Sequence, residues 1–189
     1  LITTDCLNIF VANGHVYPEV DEQDWGTTFA QRPQLFRNLD GTRFEEVPPA
    51  TGSGLADVIC ARGAAFGDLF NDGHIDVVMN NLDSPPTLLR NVLKNGNHWI
   101  GIKLIGGSKG PRDAIGAKVL VTTGTVRQQV DIFSGGSYGS SSDPRAHFGL
   151  GTATRIDKLE VIWPDGKKQE VPPPETNQII TVKEEPNEN

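Results

Sequence analysis

Three carboxylates spaced evenly around a glycine open the chemical reading of this chain. The segment Asp68-Leu69-Phe70-Asn71-Asp72-Gly73-His74-Ile75-Asp76 places acids at loop positions one, five and nine, with glycine at six. A hard divalent cation such as calcium takes about six to eight oxygen ligands, and a tight loop supplies them from alternate residues. Gly73 permits the sharp turn, and the His74 carbonyl at position seven is offered by the backbone and not by the ring. The expected metal ligands are therefore Asp68, Asp72, His74 and Asp76, with calcium as the expected cofactor. The competing reading is a turn whose Asp side chains cap backbone N–H groups and need no metal.

A second polar cluster lies further on. Ser137, Ser140, Ser141, Ser142, Asp143 and His147 fall within eleven residues. Serine–histidine–aspartate catalysis is defined by spatial geometry, with partners usually drawn from different elements, and no nucleophile-elbow sequence is present here. The segment from Ser134 to Asp143 reads instead as a loop before a strand. Its expected ligand-binding residues are Ser137, Tyr138, Asp143 and Arg145, with Tyr138 as a stacking platform and the charged pair as hydrogen-bonding groups. A structural role, with Asp143 capping the turn and Arg145 ordering it, competes directly. His15, His74, His98 and His147 show no zinc spacing, and the two cysteines form no C-x-x-C pair. Gly106 to Gly110 lacks the phosphate-loop spacing and reads as a turn. Trp99 and Trp163 fall in strand patterns and read as core. No catalytic residue is assigned, and the chain is read as not an enzyme.

These residues need a scaffold, and the pattern around them is β. Gly 21 and Pro 13 among 189 residues favour turns over long helices. An internal repeat is visible. Asn8 to Asn13 resembles Asp76 to Asn81, a shift of 68, and Pro33 to Asn38 resembles Pro86 to Asn91, a shift of 53. The first copy therefore carries a 15-residue insertion between Asn13 and Pro33, read as a surface loop. Two copies of about 50 residues cannot close a radial fold of about four to eight blades, so further chain is expected on the amino-terminal side. Past Asn95 the pattern changes to short strands spaced as in a small sandwich: His98–Ile105, Ala117–Thr122, Val126–Phe133, Arg145–Leu150, Lys158–Trp163 and Gln178–Val182. Pro164-Asp165-Gly166 marks a tight turn. Residues 184–189 read as a disordered tail.

A net charge of −7 disfavours nucleic acid and anionic lipid. No apolar run is long enough to cross a membrane. The chain begins at Leu1 without a signal peptide and reads as part of something longer. Cys6 and Cys60 are too few for a disulfide framework, though a single bridge between them stays open.

Gly63-Ala64-Ala65-Phe66-Gly67-Asp68 with the following loop resembles the FG-GAP repeat of integrin-type β-propellers. Arg112 to Ala117, Ser134 to Tyr138 and His147 to Gly151 resemble the ASPIC/UnbV domain. The combination resembles the family of bacterial FG-GAP proteins with an ASPIC/UnbV end, which is similar to the cartilage acidic protein family. The resemblance implies propeller blades, calcium in the blade loops and a secreted, periplasmic or cell-surface location. Against that family pattern, Phe70 stands at loop position three where Asp or Asn supplies an oxygen, and Thr4 and Asn8 replace acids in the first copy.

The expected protein is thus all-β: two partial FG-GAP propeller blades over residues 1–94, then a small antiparallel β-sandwich over 95–183. The expected function is non-enzymatic, calcium-dependent binding or adhesion to a protein or glycan partner, without membrane insertion. The alternatives are an accessory domain of a larger enzyme or biosynthetic system, and a purely structural propeller cap.

Overall fold

The computed structural model describes residues 7–39, 41–50, 53–107 and 110–186. They form thirteen strands and two short 3-10 turns, with no α-helix among the described residues. Four sheets result, arranged in two regions.

The amino-terminal region holds two antiparallel three-stranded sheets. The first joins β1 (Ile9–Val11), β2 (Gln34–Asn38) and β3 (Phe44–Glu46) in that order. The second joins β4 (Ala61–Gly67), β5 (Asp76–Asn81) and β6 (Thr87–Leu89). The repeat seen in the sequence is reproduced bond by bond. Ile9, Phe10 and Val11 pair with Phe36, Leu35 and Gln34; their counterparts Val77, Val78 and Met79 pair with Leu89, Leu88 and Thr87. Asn13 Nδ2 donates to the Arg32 carbonyl and to Gln34 Oε1. Asn81 Nδ2 donates to the equivalent pair, the Pro85 carbonyl and Thr87 Oγ1. At the opposite end, Asn8 Oδ1 accepts from Asn38 N at 2.9 Å, and Asp76 Oδ1 accepts from Asn91 N at 2.8 Å. These side chains pin register by closing the hairpin at both ends, which alternation alone cannot do. A closed propeller or barrel is not formed by the described residues.

The carboxy-terminal region is a two-layer sandwich. One layer orders β10 (Ala146–Gly151), β7 (His98–Ile105) and β13 (Gln178–Lys183). The other orders β12 (Lys168–Val171), β11 (Lys158–Ile162), β8 (Lys118–Thr123) and β9 (Val126–Asp131). Alternate residues of the facing strands fill the space between them: Ile100, Ile102, Phe148 and Leu150 from the first layer, Val119, Val121, Leu159 and Val161 from the second. Trp163 closes one end, fully buried, with Nε1 donating to Gln169 Oε1 at 2.8 Å. The Pro164-Asp165-Gly166 turn behaves as its composition requires: Trp163 and Lys167 bond across it, and Gly166 takes a φ of 90°.

Several expectations need correction. The sandwich is not wholly antiparallel, because β13 runs parallel to β7. A parallel pair needs a long crossover, and the excursion through β8 to β12 provides one. The tail does not detach at residue 184. Glu184 N donates to the Ile105 carbonyl, its carboxylate accepts from Gly107 N, and Lys167 Nζ holds the Glu185 and Pro186 carbonyls; residues 187–189 lie outside the described residues. The insertion after Asn13 is not only surface, since its 3-10 turn Pro18–Glu22 buries Val20 completely. Cys6 and Thr4 lie outside the described residues, and Cys60 is buried with Arg62 Nη1 donating to its sulfur.

Candidate binding site at the junction of the two regions

The carboxylate loop joins β4 to β5, so both of its ends are held by sheet. Asp68 and Asp76 are almost fully buried, at 4% and 1% exposure. Asp68 accepts from Asp72 N at 3.0 Å and Gly73 N at 2.9 Å. Asp76 accepts from Leu69 N at 3.2 Å as well as from Asn91 N. Asp72 turns outward: Oδ1 meets His74 N and the His74 ring, and Oδ2 meets Arg90. Burial pushes the Asp72 carboxyl up, but the His74 N–H, the His74 ring and Arg90 outweigh it, so the net shift is downward. Arg90 also stacks over the Phe70 ring, 4.0 Å from its centroid, so Phe70 contributes a cation–π contact where an oxygen was expected.

The donor set can be tested against a hard cation. Among the described residues no three His, Cys, Asp or Glu side chains converge to hold a metal, because Asp72 is drawn to Arg90 and His74. Asp68 and Asp76 fit better. Both are buried carboxylates in one loop, and among the described residues neither has an ion-pair partner. An unpaired buried charge is costly. The first repeat performs the same backbone cap with a neutral amide, Asn8. The cap therefore does not require charge.

The serine-rich loop clamps this hairpin onto the sandwich. Ser140 Oγ donates to the Ala64 carbonyl at 2.8 Å, Phe66 N donates to Ser142 Oγ at 3.2 Å, and Asp143 N donates to the Phe66 carbonyl at 2.9 Å. The loop thus covers the edge of β4 that β5 leaves free. Close approach requires small residues on the strand: a Cβ at Gly63 would strike the Tyr138 carbonyl, and one at Gly67 the Asp143 side chain. Arg145 ties the assembly together. It pairs with Asp143, donates to Asn71 Oδ1 at 2.7 Å and donates to the Asp68 carbonyl at 2.6 Å. The bond to Asp143 raises the Arg145 pKa further above its ordinary value, although burial opposes it.

His147 completes the junction. Its Nε2 lies 3.0 Å from the Gly73 carbonyl, and its ring stacks on Trp99 at 5.9 Å with planes 7° apart. Burial pushes its pKa below the usual histidine value, against the pull of the Gly73 carbonyl. The neutral ring therefore donates from Nε2. A Cβ at Gly73, whose φ is 84°, would overlap the Trp99 ring. Trp99 is consequently a junction residue and not core.

Of the expected ligand-binding residues, Asp143 and Arg145 are spent on the clamp, and Ser137 forms a bridge with Ser140 inside the loop. Tyr138 is 77% exposed and Phe133 is 58% exposed. An apolar cleft of about 330 Å³ opens beside Phe133 and the clamp, lined by Phe66, Ile75, Ile132, Phe133, Pro144 and Ile179 among others; Tyr138 is not part of its lining. Serine hydroxyls do not meet His147, whose ring nitrogen is taken by Gly73. The sequence reading named His147 only within the polar cluster and Trp99 only as core, and did not single out Asn71. Their roles depend on contacts between segments 26 to 74 residues apart in the chain, for which the local pattern carries no signal.

Residues 107–189 match the family model described as ASPIC and UnbV. The chain is 32% identical over 126 residues to cartilage acidic protein 1 of Xenopus tropicalis, covering 64% of this chain and 19% of that protein. It is 30% identical over 144 residues to the proteins of the same name from Mus musculus and Homo sapiens, covering 73% of this chain and 22% and 21% of theirs. The chain spans about a fifth of the length of these curated relatives.

Proposed function

Given the ASPIC and UnbV match of the carboxy-terminal half, we propose that this chain is a non-enzymatic binding module of a secreted, periplasmic or cell-surface protein. Its two hairpin sheets are read as partial FG-GAP propeller blades, its sandwich as the domain that presents the ligand surface, and its partner as a protein or glycan. The curated relatives carry cartilage in their name, which supports an extracellular setting, and no helix among the described residues is long and apolar enough to cross a membrane.

One observation carries this reading. The loop that exposes Tyr138 is fastened to β4 by hydrogen bonds and by the Arg145 clamp, and Phe133 just before it lines an apolar cleft. Exposed aromatics on a preorganised loop bind with little further loss of conformational entropy. The buried Asp68 and Asp76 support calcium as a structural ion of the same junction. With the His74 carbonyl and Asp72 released from Arg90, they would hold it and so stiffen the loop beneath the clamp.

Tyr138→Ala tests the surface. Retention of the chain on a glycan and extracellular-protein array is expected to fall to background. The stability should change by no more than a surface substitution does, about 0.5 kcal/mol. Unchanged retention would end this reading in favour of a structural cap, which the engagement of Asp143 and Arg145 otherwise favours.

A further inference from the structure

A second groove lies where the carboxylate loop meets the linker into β7 and the start of β13. It encloses about 360 Å³, within the range of small-ligand pockets of about 300–1,000 Å³. Asp72 and His74 line it from the hairpin; Lys94, His98, Trp99 and Asn177 line it from the linker and the sandwich. Its character is the reverse of the apolar cleft, since every lining residue except Trp99 is polar or glycine.

The hydrogen-bonding capacity of this lining is divided between its two sides. On the sandwich side Asn177 fixes two donors. Its Nδ2 donates to His98 Nδ1 at 2.9 Å, so the ring proton of His98 sits on Nε2. Its Oδ1 accepts from Trp99 N, and its own N donates to the Trp99 carbonyl, with the Asn177 backbone at a left-handed φ of 61°. Among the described residues nothing accepts from Trp99 Nε1, which lies against Gly73 and stays open to solvent. A largely buried indole N–H ordinarily has a partner. Lys94 adds an ammonium with no ion-pair partner among the described residues. On the hairpin side the polarity reverses. Asp72 Oδ1 takes the Nδ1 proton of His74, which leaves His74 Nε2 as an acceptor beside the Asp72 carboxylate.

We propose that this groove binds an acidic sugar unit, a pyranose ring carrying one carboxylate, as in the uronic acids of a polysaccharide. The carboxylate accepts from Lys94 Nζ, His98 Nε2 and Trp99 Nε1, and the ring hydroxyls donate to His74 Nε2 and Asp72. A neutral sugar leaves the ammonium unmatched, and a bare anion leaves the acceptors of the hairpin side unmatched. Asn177 holds the His98 and Trp99 donors in place before the ligand arrives, so little ordering is lost on binding. The site is separate from the surface at Tyr138 and stands whether or not that surface binds a partner.

Calorimetric titration of the 189-residue chain is the measurement, in chelator so that no divalent cation bridges ligand to protein. The probe is trigalacturonate. Its methyl ester keeps the rings and removes the charge; a triglutamate peptide keeps the charge and removes the rings. Trigalacturonate should bind, and the other two should bind at least about tenfold more weakly. Lys94→Gln changes an exposed linker residue, and Trp99→Phe keeps a ring against His147 while removing the N–H. Each should weaken trigalacturonate binding by about tenfold or more, the loss expected for a hydrogen bond to a charged group. Tyr138→Ala should bind trigalacturonate as the wild type does. If circular dichroism shows that Trp99→Phe is unfolded, Lys94→Gln decides the matter. No binding of trigalacturonate by the wild type would overturn the proposal. So would equal binding of the methyl ester or of the peptide, a Lys94→Gln variant that binds undiminished, or loss of binding in Tyr138→Ala.

Discussion

Asp76→Asn separates the two jobs assigned to the carboxylate loop. The first repeat already contains the substituted form: Asn8 makes the Asn38 N bond that Asp76 makes to Asn91 N. The variant keeps that bond and removes the buried charge. It also turns the Oδ2 that accepts from Leu69 N at 3.2 Å into an amide NH2 that cannot accept, so that bond is lost, at a cost of about 1–3 kcal/mol. In chelator this loss is offset by relief of an unpaired buried charge, so both proteins should melt within a few degrees of each other. Calcium changes the comparison. An ion that binds only the folded state at a hundredfold excess over its Kd adds about 2.7 kcal/mol. For a chain of this size that raises Tm by roughly 5–10 °C. The wild type should show this rise, and Asp76→Asn should not. The assay is thermal denaturation by circular dichroism with chelator, with calcium and with magnesium. A calcium response of equal size in both proteins, or none in the wild type, would refute the argument that the charge at Asp76 serves a cation.

Two further outcomes follow from the junction. Burial holds the His147 pKa below the ordinary histidine value of about 6.5, so its contribution to stability is complete above about pH 6.5 and is lost as pH falls through the lower folded value. Tm measured between pH 8 and pH 5 should therefore drop for the wild type more than for His147→Gln, whose amide can still donate to Gly73; parallel profiles would contradict this. Gly73→Ala combines a left-handed backbone with overlap of the Trp99 ring, and should cost at least about 2–3 kcal/mol in urea denaturation; a loss below about 1 kcal/mol would mean that Trp99 is not packed on the loop.

What the sequence determined by itself was the repeat and the strands. The shifts of 68 and 53 matched the strands of the two copies to each other, and the structure pairs those strands in equivalent register, with Asn13 and Asn81 closing the two hairpins in the same way. The same local logic located the sandwich strands and the Pro164–Gly166 turn. Tertiary structure alone decided the rest. Asp143 and Arg145 read equally well as ligand contacts or as a clamp until Phe66, Asn71 and Asp68 were placed beside them. Trp99 read as core, yet it stacks on His147 and covers Gly73. The parallel pairing of β13 with β7 was likewise invisible. Alternation records which residues are apolar; which buried face meets which is set by packing between segments far apart in the chain, where no local periodicity reaches.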